Sequence, residues 1–230
     1  MDIRSYIKDH LLLFDGAMGT LFQTKGGEGS PELANLTAPE TILHIHREYL
    51  TAGAKALKTN TFAANRTGLG DACAPAVEAG WKLAVQAAGG TDAYVFADLG
   101  PVSREADASS EYQYLAGLFL DLGARHFLLE TLPDLTGVLE TAAYIKSRDP
   151  GAFLLVSFAV QPDGFTVTGH LAKDLLREAA ADPNIDAVGL NCVCSAGHME
   201  TLLEQVGPLD RPLSVMPNAG YPTVLGRRTI

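Results

Sequence analysis

The chain holds a set of polar residues that each close an apolar run, the pattern expected where strands end in an active site. Gly189-Leu190-Asn191-Cys192 finishes one run with an amide and a thiol, and Glu130-Thr131 follows His126-Phe127-Leu128-Leu129. Asp15-Gly16 follows Leu11-Leu12-Leu13-Phe14, and Thr59-Asn60-Thr61 follows Ala56-Leu57-Lys58. Asp98 and Gly100, then Ser157 with Thr168, Gly169 and His170, then Asn218 and Gly220, complete the set. Together they offer carboxylates, amides, hydroxyls and one thiol. Carboxylates suit an ammonium group and backbone N–H groups suit a carboxylate, so the natural ligand is a small zwitterion such as an amino acid. Each residue also has a plainer role. Asp before Gly is a common turn pair, Asn60 could satisfy loop backbone groups, and a free cysteine is often a small buried hydrophobe. Cys192-x-Cys194 with His198 invites a metal reading, yet that spacing matches no standard zinc motif.

Positioning such residues together requires strands that end on one face. Apolar runs alternate with helical stretches along the chain: strands at 11–14, 56–62, 94–97, 126–129, 153–160, 187–190 and 213–216, helices near 39–52, 74–88, 110–122, 135–146, 172–180 and 199–206. Pro39 sits where a helix starts and Gly53 where it stops. Val77, Trp81 and Val85 at fourfold spacing mark the face of the second helix. Cys73 near its start reads as inert, and His44 and His46, two apart on one helix, as surface or packing residues. Apolar strands without strict alternation indicate a sheet covered on both faces, hence parallel. Strand–helix alternation gives an α/β class, and in a parallel barrel the strand C-termini share the active face. About seven β/α steps leave a TIM-type (β/α)8 barrel one strand short. A doubly wound sheet would need Gly-x-Gly-x-x-Gly after its first strand, which Asp15-Gly16-Ala17-Met18-Gly19 does not supply.

The totals narrow the function. With 230 residues, 47% hydrophobic and 19% charged, the chain can bury one large core, and residues 1–230 read as a single domain. A net charge of −10 argues against nucleic acid or an anionic membrane as the main partner. The longest apolar runs are too short to span a bilayer, and Met1-Asp2-Ile3-Arg4 lacks the pattern of a secretory leader. Three cysteines, an odd number, form no disulfide framework, so the expected compartment is the cytoplasm.

Taken in order, these segments resemble the homocysteine S-methyltransferase domain family. The carrying residues are Asp15-Gly16-Ala17-Met18-Gly19-Thr20, Glu32 to Glu40, His46-Arg47-Glu48-Tyr49-Leu50, and Ala52-Gly53-Ala54 followed by Thr59-Asn60-Thr61-Phe62. Leu99-Gly100-Pro101, Glu130-Thr131 and Gly189-Leu190-Asn191-Cys192 continue the match. Met216-Pro217-Asn218-Ala219-Gly220 is closest to the homocysteine-binding module of cobalamin-dependent methionine synthase. The resemblance implies a (β/α)8 barrel that binds homocysteine and one zinc. It makes Cys192 a metal ligand and catalytic residue, and Asp15, Gly16, Asn60, Glu130, Ser157 and Asn191 the substrate-binding residues. Asp15 and Glu130 would hold the amino end, and backbone near Gly16 and Ser157 the carboxylate.

The resemblance also implies chemistry. A free thiol has a pKa of roughly 8.5 and is mostly protonated at neutral pH; zinc coordination deprotonates it, and catalytic zinc takes three protein ligands and leaves one position open. The family's other two ligands, an adjacent Cys-Cys pair in a Gly-Gly-Cys-Cys-Gly segment, do not occur here. Three explanations compete: the chain is C-terminally incomplete, another polypeptide supplies the strand, or this is a natural variant with a changed site. The expected methyl donor is a methyl-corrinoid (methyl-cobalamin) on another domain or subunit. S-methylmethionine or betaine as donor is the enzyme alternative, and a non-catalytic binding or assembly domain is the alternative outside enzymes. A barrel missing its last strand would expose two edges, so a homodimer or a partner chain covering them is expected.

Overall fold

A computed structural model describes residues 2–103, 106–219, 224–225 and 228–229. Its strands are β1 (Ala56–Lys58), β2 (Tyr94–Leu99), β3 (His126–Leu132), β4 (Phe153–Phe158), β5 (Ala187–Ser195) and β6 (Leu213–Asn218), with a small separate pair β7 (Val224–Leu225) and β8 (Arg228–Thr229). The first six are hydrogen-bonded in chain order, and the β1–β2, β2–β3, β4–β5 and β5–β6 pairs are parallel. Helices separate them: the short α5 (Arg66–Leu69) and α6 (Cys73–Ala88) after β1, α7 (Ala108–Asp121) after β2, α8 (Val138–Arg148) after β3, α9 (Ala172–Ala181) after β4 and α10 (Ala196–Val206) after β5. This is the parallel β/α alternation of the TIM-type barrel, as the apolar runs require. Every residue of β4 is buried, which is why that strand shows no polar alternation.

Ahead of β1 lie α1 (Ile3–Asp9), α2 (Met18–Thr24), α3 (Pro31–Thr37) and α4 (Pro39–Thr51). The Ser30 hydroxyl accepts from Leu33 N–H to cap α3, and Pro31 occupies its first turn. Gly53, at φ 105°, ends the α4 segment; Gly53 N–H and Ala54 N–H donate to Leu50 O and Tyr49 O.

The residues cluster into two compact units, Met1–Leu129 with Thr136–Leu154, and Glu130–Leu135 with Leu155–Ile230. In the first, Phe22, Ala34, Ile42, Leu43, Ile45, Leu57, Leu83 and Ala87 form a buried apolar cluster. In the second, β5 packs with α9 and α10, which bury Leu175, Leu176, Met199 and Leu202.

Two expectations are corrected. The run Leu11–Phe14 is not a buried strand: only Phe14 bridges to Ala56, and Leu11 and Leu13 are 93% and 57% exposed. β1 is three residues long, so it offers this segment too little ladder to hold its apolar side chains under cover. The parallel ladder among the described residues therefore has six strands plus that bridge, not seven. Gly26–Ser30 forms the loop between α2 and α3. Gly220 lies outside the described residues.

Candidate functional site

In the first unit the turn after β1 is built from hydroxyls and amides that satisfy one another. Thr61 donates through Oγ1 to Asp98 O (2.8 Å), while Thr59 Oγ1 accepts from Asp98 N–H (3.0 Å). The 2.6 Å contact between the two hydroxyls is then Thr59 donating to Thr61. Asn60 donates through Nδ2 to Pro31 O (2.5 Å) and to Asn35 Oδ1 (2.8 Å), and Asn35 donates back to Asn60 O (2.8 Å) and to Ala76 O (3.0 Å). Both Nδ2 protons of Asn60 are thus used inside the fold, and its side chain clasps the turn to α3. Asp15 is buried, and its Oδ2 accepts from Lys58 N–H at 3.0 Å. Gly16 admits the Tyr49 ring: a Cβ there would stand 2.8 Å from Tyr49 Oη. Glu32, which the sequence alone did not single out, is buried and accepts from Ser30 Oγ (2.6 Å) and Ala63 N–H (3.0 Å).

In the second unit, four residues from three strands meet at one amide. Asn191, on β5, is buried; its Oδ1 accepts from Thr131 N–H (2.9 Å) and Ser157 Oγ (2.8 Å). Its Nδ2 faces Thr131 Oγ1 (2.7 Å), Glu130 Oε2 (3.1 Å) and Cys192 Sγ (3.4 Å). A backbone N–H can only donate, so the atom facing it must be Oδ1, and the amide's orientation is fixed. The Ser157 hydroxyl is fully buried and spent on Asn191. Glu130, Ser157, Asn191 and Cys192 are therefore gathered as the sequence suggested, with Thr131 as an additional member.

The backbone at this cluster is unusual. Thr131, Cys192 and Val193 have φ of 61°, 57° and 57°, the only positive values outside glycine among the described residues. Two of the three are β-branched, for which this conformation is an outlier. On β5, Asn191 pairs with Met216 and the next pairing is Ser195 with Asn218. Residues 192–194 thus bulge opposite Pro217, which has no N–H to give a ladder. No composition or spacing signal marks a left-handed threonine, so this feature was not readable beforehand.

The metal reading can be tested against these positions. Cys194 is buried and its thiol donates to Val160 O (3.0 Å); burial pushes its pKa up. His198 Nδ1 lies 3.1 Å from Ser195 Oγ. Cys73, in the first unit, is buried, and burial pushes its thiol up to about 11, which leaves it inert. Among the described residues no three His, Cys, Asp or Glu side chains converge as a metal would need. Cys192 by itself does not make the three-ligand zinc site that the resemblance implies.

Known proteins give the frame an identity. Methionine synthase of Mycobacterium tuberculosis (strain ATCC 25618 / H37Rv) is 30% identical over 259 residues, covering 99% of this chain and 22% of that protein. The chain therefore spans about a fifth of the length of that relative. Homocysteine S-methyltransferase of Escherichia coli (strain K12) is 28% identical over 247 residues, covering 93% of this chain and 79% of that one. The solved metallated form of the E. coli homocysteine methyltransferase MmuM superposes with a TM-score of 0.80 at 23% identity, over 96% of this chain and 88% of its own, a likeness of fold. The description of the family named homocysteine S-methyltransferase matches residues 12–229. That span takes in both units and each strand-end motif described above, and on it the chain belongs to the homocysteine S-methyltransferase family.

Proposed function

We propose that this chain is a methyltransferase module that binds homocysteine and presents its sulfur for methylation to methionine. The observation that carries the reading is the Glu130–Thr131–Asn191–Cys192 cluster, in which a carboxylate and a thiol share one buried amide. Glu130 binds the substrate ammonium, since a buried carboxylate suits a cation that replaces its lost hydration. Asn191 holds Glu130 and Cys192 in fixed relation, and Ser157 holds Asn191. Asp15, Gly16 and Asn60, in the first unit, are proposed as substrate-binding residues on the resemblance of their motifs alone. In the reaction the homocysteine sulfur, having lost its proton, attacks the methyl carbon. The new S–CH3 bond forms as the donor leaves with the bonding pair.

The donor proposed is a methyl-corrinoid carried by another domain or subunit, and Cys192 is proposed as one zinc ligand. The lack of a three-ligand group among the described residues favours one rival: a homocysteine-binding domain that does not complete the chemistry by itself.

The deciding experiment is calorimetric titration of the full chain with L-homocysteine, beside Glu130→Gln and Cys192→Ala. Zinc content is measured on the same samples, and methionine formation is followed with methylcobalamin, S-methylmethionine or betaine. Binding lost in Glu130→Gln supports the substrate reading. Homocysteine binding without methionine from any donor favours the binding domain, and no binding refutes the proposal. Zinc absent from both wild type and Cys192→Ala removes the ligand role of Cys192 in this chain.

A further inference from the structure

Two strained positions lie on either side of one amide in the second unit. On a regular strand consecutive side chains point to opposite faces. Glu130 and Thr131 are consecutive on β3, and Asn191 and Cys192 are consecutive on β5. Yet Glu130 and Thr131 both meet the Asn191 amide, and Cys192 meets the Thr131 hydroxyl at 3.6 Å, on the same side as Asn191. The left-handed backbone at Thr131 and at Cys192 is what turns each pair toward one point. Such conformations are costly and persist only where the surroundings over-determine them.

Thr131 is over-determined by a two-point clamp. Its N–H donates to Asn191 Oδ1 (2.9 Å), and its Oγ1 accepts from Asn191 Nδ2 (2.7 Å). With that lone pair occupied, the hydroxyl proton is directed elsewhere, and Cys192 Sγ is the acceptor in reach. The sulfur is thus met at two points, by Asn191 Nδ2 itself (3.4 Å) and by the Thr131 hydroxyl (3.6 Å), and the hydroxyl adds a second direction to the one the amide gives.

We infer that Thr131 is a positioning residue: its left-handed amide and its hydroxyl, clamped by Asn191, fix the direction of the Cys192 sulfur relative to the Glu130 carboxylate. The consequence for substrate rests on the homocysteine reading above; the geometry does not. Valine at this position keeps the shape and β-branching but has no hydroxyl, whereas serine restores the hydroxyl.

The test uses the full chain with labelled cysteine, assigned by Cys192→Ala, as wild type, Thr131→Val, Thr131→Ser and Thr131→Gly. The Hα–Hβ couplings of Cys192 report its side-chain rotamer. Wild type and Thr131→Ser should each show one rotamer, and Thr131→Val rotamer-averaged couplings. The homocysteine dissociation constant should rise at least about tenfold in Thr131→Val, the scale of one hydrogen bond, and recover in Thr131→Ser. Thr131→Gly lacks the hydroxyl but adopts left-handed φ without strain, so it should fold and show the same averaging even if valine prevents folding. A single Cys192 rotamer in the folded valine or glycine variant, or serine behaving like valine, overturns the inference. If wild type binds no homocysteine, the functional reading fails while the couplings still decide the role of Thr131.

Discussion

Acidification should destabilise this protein through one buried imidazole. His46 lies on α4, fully buried, and neither ring nitrogen has a hydrogen-bond partner. His44, two residues earlier, is exposed and reaches Glu48 at 3.1 Å. Desolvation lowers the His46 pKa from 6.5 to about 4. The unfolded chain then binds a proton below pH 6.5 that the folded chain refuses until about pH 4, so stability falls as pH drops through that window. A tenfold change in proton affinity is worth about 1.4 kcal/mol. The full effect is about 3 kcal/mol, of which about 2 kcal/mol is lost between pH 7 and pH 5. Urea unfolding across pH 4.5–7.5 should show this loss in wild type and a shallower dependence in His46→Leu. His126, whose pKa burial also lowers, remains in both proteins, so the difference between them isolates His46. Leucine also removes two polar atoms buried without partners, so at pH 7 the variant should be at least as stable. Parallel stability-against-pH curves for the two proteins would refute the reasoning, because they would mean the imidazole is hydrogen-bonded or hydrated in the folded state.

Asn191→Leu strands Thr131 N–H and the buried Ser157 hydroxyl and should cost about 3 kcal/mol in urea unfolding, against about 1 for Ser157→Ala. Gly80→Ala would place a Cβ 2.7 Å from Asn35 Nδ2 and 2.9 Å from Thr61 Cγ2, so a loss of about 2 kcal/mol is expected; an unchanged midpoint would show that the clasp yields freely. Glu130→Gln should weaken homocysteine binding by roughly ten- to a hundredfold, as removal of a charged hydrogen-bond partner does, with a thermal midpoint close to wild type.

The repeating frame was legible because β3, β4 and β5 each carry an apolar run ahead of their strand-end polar residues, and because Pro39 and Gly53 punctuate α4 in the expected way. Cys192, Asn191, Ser157 and Glu130 were legible as strand-end polar residues. What was hidden is conformational. Nothing in Thr131 or Val193 announces a positive φ, and the β5 bulge has no spacing signature. The apolar run before Asp15 misled because hydrophobicity indicates a tendency to be covered, not the presence of a cover. Val77 is buried but Val85 is exposed, because steps of four drift around a 3.6-residue turn; the buried stripe moves to Gly80, Leu83, Ala84 and Ala87.

The bulge in β5 has an arithmetic that separates folding from chemistry. Four steps along β5, from Asn191 to Ser195, are matched by two steps along β6, from Met216 to Asn218, an excess of two residues. Side chains alternate with a period of two, so an even excess returns the strand to its original parity, and Ser195 enters α10 facing as it would from an unbroken strand. An odd excess would have inverted everything downstream. Deleting Cys192 and Val193 would keep that parity and take away the two left-handed residues of the strand.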